Sequence, residues 1–235
     1  MHDTTPIREL EVRHLGTIGY QQAWQLQKQL VDERRKGLIP DTLLLLQHEP
    51  VVTLGRDTDP QSLLYNEATL AAVGVELVQS DRGGDATYHG PGQVVGYPIL
   101  DLRPDWMDIP KFVRAIEQTM IDTIAEYDLV GGRVEGSPGT WLAEDARGPE
   151  RKIGAVGARI SRWITHHGFA LNVNTHMDHF ELIVPCGIRD KGVTSLKAEL
   201  GREVSIDEVM RHLAEHLARN FGRRLVVRSQ EEDQS

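Results

Sequence analysis

Between Arg82 and Tyr97 the chain places Gly83, Gly84, Gly90 and Gly92 among polar and aromatic side chains, then runs into Gln93 to Leu100, which reads as a strand. Glycine lets the backbone take positive φ and lets a ligand approach the main chain, at an entropic cost that a plain turn seldom repeats so densely. A binding loop delivered into a strand is the first expectation. A glycine-rich turn between strands is the competing one, and composition alone does not separate them.

The rest of the pattern mixes both periods. Tyr20, Ala23, Trp24, Gln27, Leu30 and Val31 fall at helical spacing, so 18–36 reads as an amphipathic helix. Thr42 to Gln47 is a continuous apolar run of strand length, suited to a strand buried on both faces. Further strands are expected at 10–14, 51–54, 75–78, 140–142, 153–160, 168–174 and 225–227, and 131–139 reads as a loop. Asn66, Asp108 and Ser205 are placed to cap helices, with Pro110 in the first turn of the second and Glu208 completing a capping box in the third. Segregated strands and helices point to an α+β fold of mixed β-sheets with packed helices, the helices on one side. No repeat or linker divides the 235 residues, so 1–235 is expected to form one catalytic domain with a disordered tail at about 229–235.

Composition narrows the function. A net charge of −9 argues against nucleic acid or an anionic membrane as the main partner. The longest aliphatic run, Leu43 to Leu46, is too short to span a bilayer, and Met1 to Leu10 carries neither the basic nor the apolar region of a signal peptide, so a cytoplasmic location is expected. One cysteine permits no internal disulfide and no thiolate-rich zinc site. His166, His167, His176 and His179 invite a metal reading, but no nearby cysteine or acidic ligand completes a zinc pattern.

The stretch from Arg82 to Gln93 resembles the signature of the lipoyl(octanoyl) transferases, and so do Arg151-Lys152-Ile153-Gly154-Ala155-Val156-Gly157 and Pro185-Cys186-Gly187-Ile188 with Val193-Thr194-Ser195-Leu196. The three blocks come in that family's order. The resemblance implies the fold of the biotin and lipoate protein ligase catalytic domains, a larger mixed sheet beside a smaller one. It implies octanoyl transfer from octanoyl-acyl carrier protein to a lysine of lipoyl domains, in 2-oxoacid dehydrogenases and the glycine cleavage H protein, with no cofactor. By the same resemblance Cys186 and Lys152 are catalytic. The acyl chain is expected against Arg82, Gly83, Gly84, Asp85, Ala86, Thr87, Tyr88 and His89, against Ala155, Val156 and Gly157, and against Gly168, Phe169 and Ala170.

The chemistry fits those residue types. Thiolate is a strong nucleophile, and the thioester it forms stays activated for a second attack. Alone, a cysteine is most often a small buried apolar residue, but Cys186 sits between Pro185 and Gly187 where no periodicity holds it as core. A lysine at the start of an apolar strand has its pKa lowered by burial, which suits it to accept the proton of an attacking amine. Glycines at 83, 84, 157 and 168 are expected to clear a slot for an apolar tail, with a strand bulge the other account of Gly168. Gly154 stands where the family commonly has alanine and Tyr88 in its aromatic position, and both bear on the width of that slot. An acidic carrier would need a local basic patch, the candidates being Arg34, Arg35 and Lys36, or Arg151, Lys152, Arg159 and Arg162. Two other readings compete: an ATP-dependent lipoate ligase of the same fold, with the glycine-rich loop as a phosphate cradle, and a non-catalytic protein that binds acyl carriers or lipoyl domains.

Overall fold

The structure is a computed structural model and describes residues 7–59, 63–183 and 191–227. Its centre is β2 (Asp41–His48), the apolar run. Leu43 and Leu45 enter one hydrophobic core while Leu44 and Leu46 enter another on the opposite face. Alternate side chains of a strand point to opposite faces, so an uninterrupted apolar strand requires cover on both. The cover is α1 (Tyr20–Arg35) on one face, and α3 (Ile109–Ala125) and α5 (Ile206–Asn220) on the other. Helices therefore lie on both sides of the sheet, not on one.

β2 pairs in parallel with β1 (Glu9–Ile18) and antiparallel with β6 (Gln93–Ile99). From β6 the sheet continues through β10 (Ile164–Asn172), β9 (Arg151–Ser161), β8 (Ser137–Leu142) and β7 (Gly131–Val134). β12 (Arg224–Val227) closes the other edge against β1, and β11 (Gly192–Val193) lies in parallel beside the start of β9. A second sheet of β4 (Glu76–Gln79), β3 (Val51–Leu54) and β5 (Thr87–His89) packs under α2 (Glu67–Ala72) and a 3-10 helix at Met177–Leu182. The fold is α+β with a larger mixed sheet and a smaller one. No helix of the described residues is long and apolar enough to cross a membrane.

The helix starts follow the sequence. Asn66, Asp108 and Ser205 accept hydrogen bonds from the backbone N–H groups of Thr69, Lys111 and Glu208. Two stretches differ from expectation. The segment 131–139 is not a loop but most of the β7–β8 hairpin, its glycines admitting α3 so closely that a Cβ at Gly131 would lie 2.8 Å from Ile124 Cδ1. Thr87–His89, inside the glycine-rich stretch, is a strand of the small sheet.

Asp41 ties the large sheet together. Buried at the start of β2, it accepts from Arg34 Nε at 2.8 Å, Arg223 Nε at 2.7 Å and the Asp101 N–H at 2.9 Å. Removing one partner of a buried ion pair costs about 3–5 kcal/mol, because the other charge remains desolvated. Asp41→Ala should lower the unfolding free energy, read from urea denaturation, by that order, and Asp41→Asn by less.

Candidate functional site

A cavity of about 800 Å³ opens between the 82–89 loop, β9 and β10, the first turns of α3 and the β7–β8 turn. Backbone bonds from Gly55, Arg56 and Asp57 and the Asp57 carboxylate hold its loop wall, and one buried cation joins it to β3. Arg82, 6% exposed, donates from Nε to Thr53 Oγ1 at 3.0 Å and from Nη2 to the carbonyls of Thr53 (2.7 Å) and Asp85 (2.6 Å). Its Nη1 donates to Gly83 O at 3.0 Å. The loop then reaches the large sheet where Gly83 N–H donates to Ala158 O at 3.3 Å.

Arg82, Gly83, Gly84, Asp85, Ala86, Thr87 and His89 line the cavity, together with Lys152, Ala155, Val156, Gly157, Gly168, Phe169 and Ala170. Tyr88 does not. As the middle residue of β5 it points the other way, into the core of the small sheet with Val52, Leu70 and Phe180, where burial pushes its pKa up to about 12 and its hydroxyl pairs with His179 Nδ1 at 2.7 Å. The glycines answer to protein neighbours. A Cβ at Gly168 would run into Gly96 O and Pro98 Cδ on β6, and one at Gly157 would press Arg82 Cδ and Gly83 O, both at 3.3 Å. A Cβ at Gly154 would meet Met120 Sδ of α3 at 2.6 Å, so its effect on the cavity is transmitted through a flexible core side chain.

Lys152, partly buried on β9, reaches across to the β7–β8 turn. Its Nζ donates to Pro138 O at 3.3 Å and lies 4.7 Å from the centre of the Trp141 ring. Cys186 lies outside the described residues. The chain on either side of that segment is placed: Phe180 and Val193 line the cavity, and Val193 stands beside Lys152 in the β11–β9 pair.

A polar chain runs behind the cavity wall. His89 Nδ1 meets Gln93 Oε1 at 2.6 Å, Gln93 Nε2 donates to Asn172 Oδ1 at 2.9 Å, and Asn172 Nδ2 to Thr194 O at 3.0 Å. The Thr194 N–H then donates to Lys152 O at 2.9 Å. Because the Gln93 carbonyl can only accept, His89 carries its proton on Nδ1. Burial, reinforced by nearby His48, holds its pKa well below the usual value, so it faces the cavity as neutral imidazole. Tyr20 stacks near both His89 and His167 and lines the cavity with Tyr97. The sequence reading missed Tyr20, Tyr97, Gln93, Asn172 and the α3 residues Ile109, Phe112 and Val113 as lining residues. For α3 the signal was misleading, since the apolar stripe that builds the core also turns toward the cavity at its first turn.

The histidines gather acids that are distant in sequence. Asp81 accepts from His167 Nε2 at 2.7 Å, pairs with Arg159 and lies 4.0 Å from His166 Nε2. This set, and Glu126 with His212 and His216, bring possible metal-ligand atoms within 4.8 Å of one another. At the first, the Arg159 guanidinium occupies the carboxylate a cation would need. The expected basic patches are largely consumed as well. Arg151 is bidentate to Glu199 (2.6 and 2.8 Å), while Arg159, Arg34 and Arg35 pair with Asp81, Asp41 and Asp32.

Residues 19–218 match the family model of the lipoyl protein ligase A/B catalytic domain. An octanoyltransferase of Koribacter versatilis is 48% identical over 215 residues, covering 91% of this chain and 83% of the relative. The chain belongs to the octanoyltransferases of that family. Its fold is that of the bipartite lipoate protein ligase of Thermoplasma acidophilum, with a TM-score of 0.72 at 18% identity over 97% of this chain and 89% of that one. The biotin protein ligase of Aquifex aeolicus in complex with biotin and ATP is a more distant structural neighbour, with a TM-score of 0.54 at 13% identity over 89% of this chain and 69% of that one.

Two outcomes test the site. Lysine cannot reproduce the planar fork of Arg82 across four acceptors, so Arg82→Lys should cost about 1–3 kcal/mol of stability and loosen the loop, read as faster amide exchange at 82–85. His48 donates from Nδ1 to Ile18 O at 2.8 Å, accepts from the Tyr97 hydroxyl at 2.7 Å, and has its pKa lowered by burial to about 4. Below pH 6.5 the unfolded chain binds a proton that the native state refuses. This histidine's contribution is therefore intact above pH 6.5 and is lost as pH falls toward 4, with a slope of up to about 1.4 kcal/mol per pH unit. His48→Gln should flatten the pH dependence of unfolding free energy by that slope.

Proposed function

We propose that the protein transfers an octanoyl group from octanoyl-acyl carrier protein to a specific lysine of lipoyl domains, including those of 2-oxoacid dehydrogenases and the glycine cleavage H protein. It acts in the cytoplasm, the whole chain forms one catalytic domain, and the route passes through an S-octanoyl group on Cys186. The observation that carries this reading is that one cavity collects Lys152, the 82–89 loop and both flanks of the Cys186 segment. The octanoyltransferase relative supports the same reaction.

In the first step the Cys186 thiolate attacks the thioester carbonyl, a tetrahedral oxyanion forms, and the carbon–sulfur bond to the carrier's pantetheine breaks. The departing thiolate takes its proton from the Lys152 ammonium, which leaves Lys152 as the neutral amine for the second step. In the second, the acceptor lysine's neutral amine attacks the enzyme thioester, Lys152 receives the amine's proton, and Cys186 leaves as thiolate while the amide forms. Acyl transfer between sulfur and nitrogen is balanced without nucleotide or metal, and Ala155, Val156, Gly157, Gly168, Phe169 and Ala170 form the sheet side of the acyl slot. The Pro138 carbonyl and the Trp141 ring hold the Lys152 ammonium toward the cavity.

Intact-protein mass spectrometry after mixing with octanoyl carrier protein alone should show one octanoyl adduct, lost when a lipoyl domain is added and absent from Cys186→Ser. Transfer without any adduct would mean direct attack in a ternary complex. Lys152→Ala should lower kcat by at least about 10²-fold, the scale of general acid–base catalysis. ATP and free octanoate should give no product, whereas a ligase would use both.

A further inference from the structure

Between β9 and β10 the floor of the cavity is almost bare, and it turns polar at one end. Gly157↔Gly168 and Ala155↔Ala170 are successive same-face rungs that carry nothing larger than a methyl group. Beyond Ala155 the β8–β9 ladder slips, with Thr140 against Gly154 and Trp141 against Lys152, so that Ile153 is the extra residue. A bulge of this kind shifts the alternation by one, and Lys152 thereby shares the face of Ala155 and Gly157. Where β10 leaves β9 after Leu171↔Gly154, the Thr194 N–H takes Lys152 O at 2.9 Å and Asn172 Nδ2 takes Thr194 O at 3.0 Å. Asn172 pairs in turn with Gln93 on β6, and His89 sits on Gln93. The polar end of the slot is therefore one hydrogen-bonded row, with Lys152 at one extremity and His89 at the other, and both line the cavity.

Backbone carbonyls fix the direction of every bond in that row. Those of Thr194 and Tyr88 can only accept, so Asn172 turns Nδ2 to the first and Gln93 turns Nε2 to the second, at 3.2 Å. Asn172 Oδ1 then accepts from Gln93 Nε2 at 2.9 Å, and Gln93 is left with its carbonyl for His89 Nδ1. His89 must carry its hydrogen on Nδ1, which leaves a lone pair on Nε2. Among the described residues nothing bonds that nitrogen, and His89 lines the cavity. Burial, then the nearby His48, disfavours the imidazolium, so the group accepts a hydrogen bond without taking up the proton.

The second half-reaction has a use for such a group. A neutral amine brings two N–H hydrogens to the thioester; one leaves and the other remains in the amide. Building on the transferase reading, we propose that His89 Nε2 accepts a hydrogen bond from the N–H that remains, with Gln93 and Asn172 as positioning residues. The acceptor lysine's nitrogen is then held between His89 and Lys152, its lone pair toward the acyl carbon. That lone pair forms the carbon–nitrogen bond, the carbon–sulfur bond breaks with Cys186 leaving as thiolate, one proton passes to Lys152 and none to His89. The first half-reaction moves the acyl group between two sulfurs and offers His89 no reacting N–H.

Measuring the two half-reactions separately tests this. His89→Leu removes the acceptor, and His89→Gln puts an amide oxygen near the place of Nε2. With octanoyl-acyl carrier protein alone, both variants should form the S-octanoyl adduct within about threefold of the wild-type rate, which also shows that the cavity is folded. Transfer from the isolated adduct to saturating lipoyl domain should fall at least about tenfold in His89→Leu, the scale of one hydrogen bond in the transition state, and His89→Gln should recover most of it. Discharge of the same adduct by free pantetheine, whose thiol brings no N–H to the acyl carbon, should be unchanged in both. Equal losses in adduct formation, discharge and transfer would make His89 a wall of the acyl slot and overturn the assignment. So would a His89→Gln variant as slow as His89→Leu, or a loss confined to the half-saturating concentration of lipoyl domain. Failure of the wild-type protein to form the adduct or to octanoylate lipoyl domain would instead remove the transferase reading beneath it.

Discussion

The guanidinium of Arg82 is the constraint on which the cavity depends. A planar group with fixed donor directions can join several carbonyls only if they are brought into one plane, and here those carbonyls belong to β3 and to the loop itself. The loop is thereby attached to the small sheet, while Gly83 attaches it to β9 of the large one. Both sheets have their own cores. The buried cation and the backbone bonds from Gly55, Arg56 and Asp57 to the same loop together keep the shape of the space between them.

Charge is used in the same economical way elsewhere. In a chain of net charge −9, several arginines that might have formed a basic face are instead paired with Asp41, Glu199 and Asp81. They serve as joints between elements distant in sequence. The histidines near the cavity are treated oppositely: burial keeps His48 and His167 neutral, each with a pKa lowered to about 4. The histidine side of the cavity wall therefore offers neutral hydrogen-bonding groups, while the charged lining residues Arg56, Asp57, Asp85, Lys152 and Arg159 stand elsewhere around it.

Much of this was legible. The helix caps were readable because a cap is a contact across three residues, and local sequence contains both partners. The extent of the 82–89 loop and its partners on β9 and β10 was legible through family motifs, whose members converge on one cavity. Tyr88 was not, because alternation along β5 decides which of Thr87, Tyr88 and His89 faces the small core, and a strand of three residues hidden among glycines leaves no periodicity to read. Nor was the link from His166 and His167 to Asp81, since it joins positions more than eighty residues apart through the fold alone.

The sequence by itself determined the elements whose causes are local: an apolar strand that must be covered on both faces, capped helices, and a glycine-rich loop able to take positive φ. It also carried the family. Only the tertiary structure decided what those residues answer to. Gly168 is small because the backbone of β6 presses on it, and Gly157 because Arg82 and Gly83 do. Each is a relation between two strands or a strand and a loop, and no one-dimensional spacing records which distant groups packing will bring into contact.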